Sequence, residues 1–289
     1  MTSTTSLPRY AIISPVKDEE QFVELTLRSV TSQTVEPVAW VIVDDGSTDA
    51  TQTIVREYAT RYPFIRLSNS RTEGARLLGS AESQAFRVGH ALLARDDYDF
   101  VVKLDGDLSF EPFYFEKLLA RFETDDRLGI ASGIYLESST EGLWAPVWMP
   151  PYHAFGACKV VRRTCFEEIG GFLTTPGWDT VDEIRAWSRG WRTKHFTDLQ
   201  VRHHKREGSA MGSLPTSVFH GEIYYVTGGG LLFFLFKVVR RLTKRPYIVG
   251  AVALVYGYLK AAIERRPRLV TEGEARCYRR ILRQRLWSS

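Results

Sequence analysis

Along the first hundred or so positions, short apolar runs alternate with stretches of helical periodicity. Residues 10–14, 38–43, 64–67 and 100–104 are apolar runs of strand length. Between the first two, Phe22, Leu25, Leu27 and Val30 recur at roughly helical spacing over residues 19–32, and Gln33-Thr34 closes that segment. Ser47 or Thr48 is a natural N-cap for a helix running through Tyr58. A polar, glycine-containing stretch over 68–79 then leads into a helix ending near Ala94. Strand and helix in strict alternation predict an α/β fold with a mostly parallel sheet and covering helices.

Past residue 110 the pattern predicts a helix over 112–123 and a strand over 130–136. Residues 140–155 lose periodicity and collect Trp144, Trp148, Tyr152 and three prolines, as in a loop whose rings could stack on sugar faces or simply pack on the surface. A short helix closes at Gly170-Gly171, another begins at Trp178-Asp179, and residues 195–201 read as a strand. The expected organisation is a catalytic domain over 1–206 and a helical C-terminal region over 207–289. In that region, residues 223–236 and 246–259 are each 14 residues without a charge. As helices each would be about 21 Å long, short of a ~30 Å hydrocarbon core, so interfacial or re-entrant helices are expected. Lys237, Arg240, Arg241, Lys244 and Arg245 lie between them and suit anionic headgroups.

Charge sharpens this division. Residues 1–200 carry 21 Lys+Arg against 29 Asp+Glu, and residues 201–289 carry 17 against 5. The overall net charge of +4 hides a basic tail on an acidic body, which points to a membrane surface rather than to nucleic acid. Cys158, Cys165 and Cys277 are widely spaced and form neither a disulfide framework nor a zinc motif. The first residues lack the pattern of a secretory leader, so the expected location is the cytoplasmic face of the cell membrane.

Candidate chemistry sits at strand exits. Asp105-Gly106-Asp107 follows the run 100–104, and Asp44-Asp45-Gly46-Ser47 follows 38–43, so two acidic exits are expected at one crevice. Hard oxygen ligands there suit Mg2+ or Mn2+, which would offset the charge of a nucleoside diphosphate as it leaves. No glycine-rich G-x-G-x-x-G turn follows the first strand, which argues against a dinucleotide fold. The local alternatives are an Asx turn at Asp45 and first-turn capping by Asp179, Asp182 and Glu183.

The order strand-Pro15-x3-Glu19, strand-Asp44-Asp45-Gly46-Ser47-x-Asp49, strand-Asp105-Gly106-Asp107 resembles the glycosyltransferase family 2 enzymes over about residues 8–205. Val16-Lys17-Asp18-Glu19 departs from the family's usual Tyr-Asn-Glu. The resemblance implies a GT-A fold and an inverting, metal-dependent glycosyltransferase using a nucleotide-sugar donor. Pro15 and Glu19 would contact the nucleoside, Asp45 its base, Asp105 the ribose or the metal, and Asp107 the metal. Arg71 and Arg76 become candidates for the diphosphate. Asp179-x5-Arg185-x4-Gly190 matches the spacing of the family's catalytic base, which makes Asp179 the base. His203 or His204, next to one another on a strand and so facing opposite ways, supplies one further metal ligand, and His203 is favoured. The segment from Gly177 to Glu183 with the basic tail is similar to bacterial enzymes that build exopolysaccharide or other surface glycans, which implies a lipid-linked glycan acceptor. A non-catalytic sugar-nucleotide or membrane adaptor on the same scaffold is the alternative; a haloacid-dehalogenase-like phosphatase would need its Asp-x-Asp on an earlier strand.

Overall fold

A computed structural model describes residues 8–70, 80–138, 142–205, 212–243 and 245–287, and it divides into two compact units. The first comprises residues 1–175 and 191–205; the second comprises 176–190 and 206–289.

In the first unit, four strands run parallel: β1 (Tyr10–Val16), β2 (Ala39–Asp44), β3 (Ile65–Asn69) and β4 (Phe100–Leu104), in the order β3-β2-β1-β4. Every residue of β1, β2 and β4 is buried, as expected for strands covered on both faces. The covering helices are α1 (Val23–Thr31), α2 (Thr51–Arg61) and α3 (Ser80–Leu92). Each carries one apolar stripe; on α1 it is Val23, Leu27 and Val30, which join Tyr10, Trp40 and Phe115 in the core.

Beyond β4 the expectation of a mostly parallel sheet fails. β5 (Leu108–Phe110), α4 (Tyr114–Glu123), β6 (Leu128–Ser138), β7 (Trp144–Pro146), β8 (Cys158–Arg162), α5 (Arg163–Glu168) and β9 (Arg192–His203) extend the sheet in the order β4-β8-β6-β9-β5, with β7 on β6. Of these pairings only β6 with β9 is parallel; β4 with β8, β6 with β8, β6 with β7 and β5 with β9 are antiparallel. The sheet is therefore mixed. β5 and β7 are too short to show a period, and β8 carries Lys159 inside its apolar run, wholly buried, so sequence periodicity shows none of the three.

The second unit is helical: α6 (Trp178–Ser188), α7 (Ser213–Val226), α8 (Leu231–Arg241), α9 (Tyr247–Ile263) and α10 (Glu272–Trp287). α6 docks on α10, where Glu274 takes Arg189 at 3.2 Å and Arg185 at 4.0 Å, and Trp187 stacks on Tyr278. The uncharged run 223–236 is not one helix. α7 stops at Val226 and α8 restarts at Leu231 after Gly228, Gly229 and Gly230, which offer little resistance to a break. α7 and α9 approach backbone to backbone: a Cβ on Gly257 would come within 2.0 Å of the Val218 carbonyl oxygen, and one on Gly221 within 2.1 Å of that of Leu254. Among the described residues no helix is long and apolar enough to cross a membrane.

Candidate active site

Parallel pairing brings the carboxyl ends of β1, β2 and β4 to one edge, with Val16 opposite Asp44 and Lys103 opposite Ile13. The loops that leave this edge are tied together. Asp18 donates its amide to Ser47 Oγ and accepts the Thr48 amide on Oδ1; Glu19 donates its amide to Thr51 Oγ1; Glu20 donates to Asp49 Oδ2 and accepts from the Ala50 amide. Ser47 and Thr48 thus clasp the β1 loop instead of capping α2, and Asp49, whose Oδ1 accepts the Thr51 amide, serves the helix start. The acidic pair at the end of β2 divides its work. Asp44 Oδ2 accepts the amides of Gly46 and Ser47 and the Gln52 side chain, so Asp44 holds the turn and Gly46 supplies its left-handed φ of 74°. Asp45 is left to line the cleft.

That cleft is a cavity of about 250 Å3 whose walls include Pro15, Lys17, Glu19, Asp45, Asp105 and Asp107. From the α3 side Glu82 joins them. Lys103, 2% exposed on β4, reaches Asp105 Oδ1 at 2.6 Å and pairs with Glu82. Burial works against its charge, but Asp105 and Glu82 outweigh it and hold the ammonium above its ordinary pKa. Asp105 is pushed up to about 8, by burial first, with Glu82 and Asp107 adding to it against Lys103. Burial also raises Glu19, although Lys205 Nζ lies 2.5 Å from its Oε1. Acid outnumbers base here: Glu19, Glu82, Asp105 and Asp107 face Lys103 and Lys205. Among the described residues this excess of carboxylates favours a bound proton or cation.

Of the adjacent histidines, His203 stands by the cleft, its Nε2 3.3 Å from Asp107 Oδ2, packed edge-on to Phe155. Burial works against its protonation, but the hydrogen bond and charge of Asp107 hold it above the usual imidazole value. His204 faces the other way, bonded to Ser109 Oγ at 2.8 Å and stacked on Phe22, and burial lowers it. Asp105, Asp107 and His203 offer hard oxygens and one imidazole, a donor set that suits Mg2+ or Mn2+. The buried Glu19 Oε2 and His203 Nδ1 have no hydrogen-bond partner among the described residues, which also fits an ion or bound ligand nearby. No three ligating side chains among the described residues are already gathered around one point, and Lys103 takes the Asp105 oxygen instead.

Pro15, Glu19, Asp45, Asp105, Asp107 and His203 therefore share one region of the first unit. Arg71 and Arg76 lie outside the described residues. Asp179 is in the second unit, in the first turn of α6, which enters from Gly177 at φ 88°. Asp179 is half-buried, whereas Asp182 and Glu183 are at 2% and 1% exposure. Arg185, further along α6, serves Glu274 of α10. Three residues at the cleft were not anticipated: Glu82, Lys103 and Lys205. Only Lys103 left a signal in the sequence, as a lone cation inside a fully apolar strand run, which has to find a partner when buried.

Residues 11–177 match the model of the family described as Glycosyl transferase family 2. A probable glycosyltransferase of Bacillus subtilis, YdaM, is 23% identical over 214 residues, covering 66% of this chain and 49% of its own. The uncharacterized glycosyltransferase EpsJ of the same organism is 27% identical over 140 residues, or 48% of this chain and 38% of its own. The chain thus spans half or less of the length of these curated relatives. Among solved structures, the mannosyltransferase PcManGT from Pyrobaculum calidifontis, in complex with GDP-Man and Mn2+, superposes with a TM-score of 0.56 at 18% identity, covering 98% of this chain and 81% of its own. S. aureus TarS in complex with UDP-GlcNAc gives 0.55 at 18% identity over 93% and 78%. The family match covers more than half of the residues, and it starts in β1 and takes in both acidic strand exits: the chain belongs to glycosyl transferase family 2.

Proposed function

We propose that this chain is a metal-dependent, inverting glycosyltransferase that moves a sugar from a nucleoside-diphosphate sugar to a hydroxyl of a lipid-linked glycan at the cytoplasmic face of the cell membrane. The observation that carries the donor half is the acidic cavity at the carboxyl ends of β1, β2 and β4, with Glu19, Asp45, Asp105 and Asp107 in its wall. Pro15 and Glu19 border the nucleoside, Lys205 keeping the Glu19 carboxylate paired, and Asp45 accepts a hydrogen bond from the base. Asp105, Asp107 and His203 would hold a divalent cation, which supplies charge to offset the departing diphosphate. Lys103, fixed between Glu82 and Asp105, keeps the Asp105 carboxylate turned to one place.

Asp179 takes the proton from the acceptor hydroxyl, and that oxygen attacks the anomeric carbon from the face opposite the nucleotide, inverting its configuration. Its place in the first turn of α6 and the Asp179-x5-Arg185-x4-Gly190 spacing support this role. The similar proteins, glycosyltransferases of Bacillus subtilis and structures in complex with GDP-Man or UDP-GlcNAc, support the reaction class.

The test is release of nucleoside diphosphate from a panel of nucleotide sugars with Mn2+ or Mg2+, with and without a lipid-linked acceptor. Acceptor-stimulated release of one nucleotide is expected, and chelation should abolish it. Binding of a nucleotide sugar with no release under any condition would make the chain an adaptor on this scaffold instead.

A further inference from the structure

Two helices of the second unit, α8 and α9, carry large apolar side chains on their outward sides. On α8 the buried side is Phe233 and Phe234, whereas Leu231, Leu232, Leu235, Val239 and Leu242 share the opposite arc and are between 41% and 64% exposed. On α9 the buried side is made of small residues, Gly250, Ala251, Gly257 and Ala261 with Leu254, set against α7. Its outward side is Ile248, Val252, Tyr256, Leu259 and Ile263, a stripe with steps of four, four, three and four residues, reaching 80% exposure at Ile263. A surface helix of a water-soluble protein puts polar residues on that side, and contiguous apolar patches of this kind mark a docking surface.

Charge indicates what covers it. From residue 223 to residue 263 the chain has no Asp or Glu, while Lys237, Arg240, Arg241, Lys244, Arg245 and Lys260 are all basic. Arg240, in the last turn of α8, and Arg245, just before α9, are exposed where the chain passes from one helix to the other. A second copy of this chain docking through the same face would bring up more basic residues and no acidic one, because residues 223–263 contain no Asp or Glu. An anionic bilayer surface offers an apolar interior to the stripes and negative headgroups to the turn. With 11 and 17 residues, α8 and α9 are about 17 and 26 Å long, too short to span but long enough to lie in the interface. We propose that the outward faces of α8 and α9, with Arg240 and Arg245, form a peripheral docking surface for anionic lipid bilayers, the stripes set at headgroup depth.

Flotation of the whole chain with vesicles tests this without any turnover, so its failure would leave sugar transfer untouched. The chain should float with phosphatidylcholine vesicles containing phosphatidylglycerol, and far less with phosphatidylcholine alone or at high salt. Val252→Glu and Leu259→Glu should each lower partitioning about tenfold or more, since each removes a buried apolar side chain and adds a like charge to the lipid. Arg240→Gln with Arg245→Gln should cost about fivefold per position and abolish the preference for anionic lipid. In a readout that does not depend on a tolerated charge, Val252→Trp should gain fluorescence quenched by brominated lipid, whereas Thr53→Trp, exposed on α2, should not. Equal binding to neutral and anionic vesicles, flotation untouched by the two glutamates, or no flotation together with a dimer in solution that Leu259→Glu dissociates would each overturn the proposal.

Discussion

The two units break the ordinary rule of burial in opposite ways. The first keeps an apolar core of the usual kind yet buries charge at its working edge: Lys103, Asp107, Asp44 and, across the β4–β8 pair, Lys159 are all at 5% exposure or less. The second packs α7 against α9 through glycines and turns the leucine, isoleucine and valine of one side of α8 and of α9 outward. Both arrangements cost stability, one through desolvated charge and the other through apolar surface left in water. Their cost is informative because local folding preference gives no reason for either. On the proposals above, the buried charge would mark where the first unit handles a charged ligand, and the exposed hydrocarbon where the second meets a bilayer.

The sharpest way to break this contrast is through the carboxylates. Asp179→Asn should retain nucleotide-sugar affinity and lose on the order of 10²–10⁴ in transfer rate, measured by diphosphate release. Normal transfer by that variant would reduce Asp179 to a first-turn residue of α6. Asp107→Ala should instead weaken nucleotide-sugar binding in the presence of Mn2+, seen by calorimetry, and leave binding without metal little altered.

Next in size is the buried ion cluster. Lys103→Met leaves Glu82 and Asp105 facing each other without a cation and should destabilise the fold by about 3–5 kcal/mol in denaturant unfolding. Adding Glu82→Gln to it should restore part of that loss, because it removes one of the two carboxylates that Lys103 paired and with it their mutual repulsion, leaving Asp105 alone without the cation. If activity returns along with stability, Lys103 serves the fold; if stability returns without activity, it serves the orientation of Asp105.

In the second unit the inward faces should be far less tolerant than the outward ones. Gly257→Val drives a side chain into the Val218 carbonyl, a backbone atom that can yield only if α7 and α9 separate. A loss of about 1–3 kcal/mol is expected in thermal unfolding. On the other side of α9 the outward substitution Val252→Gln should change stability by no more than about 0.5 kcal/mol, since that side chain is 61% exposed. A large effect there would mean that the face packs within the protein, and the contrast between the units would fall.

Much of the catalytic edge was legible along the chain, because a strand that is buried on both faces is a continuous apolar run and its exit is where the first charged residues appear. Asp45, Asp105 and Asp107 could be placed that way, and their order gave the family. Which of Asp44 and Asp45 makes the turn was not legible, since both residue types fit an Asx turn and only the Gln52 and Ser47 contacts decide it. Which of the adjacent rings of His203 and His204 lies against the Asp107 carboxylate likewise depends on the face of β9 that turns toward it.

The sequence by itself determined the parallel half of the sheet, the acidic strand exits and the separation of an acidic body from a basic tail, because periodicity and charge are properties of neighbouring residues. Only the tertiary structure decided that β8 enters between β4 and β6 antiparallel, that Lys103 finds Glu82 on α3, and that the 223–236 run breaks at its glycines. Strand order, the partner of a buried charge and the covered side of an all-apolar helix depend on residues far away in the chain. For α9 the covering side was the one with glycine and alanine, where two backbones can meet, and that choice left the larger hydrocarbon facing out.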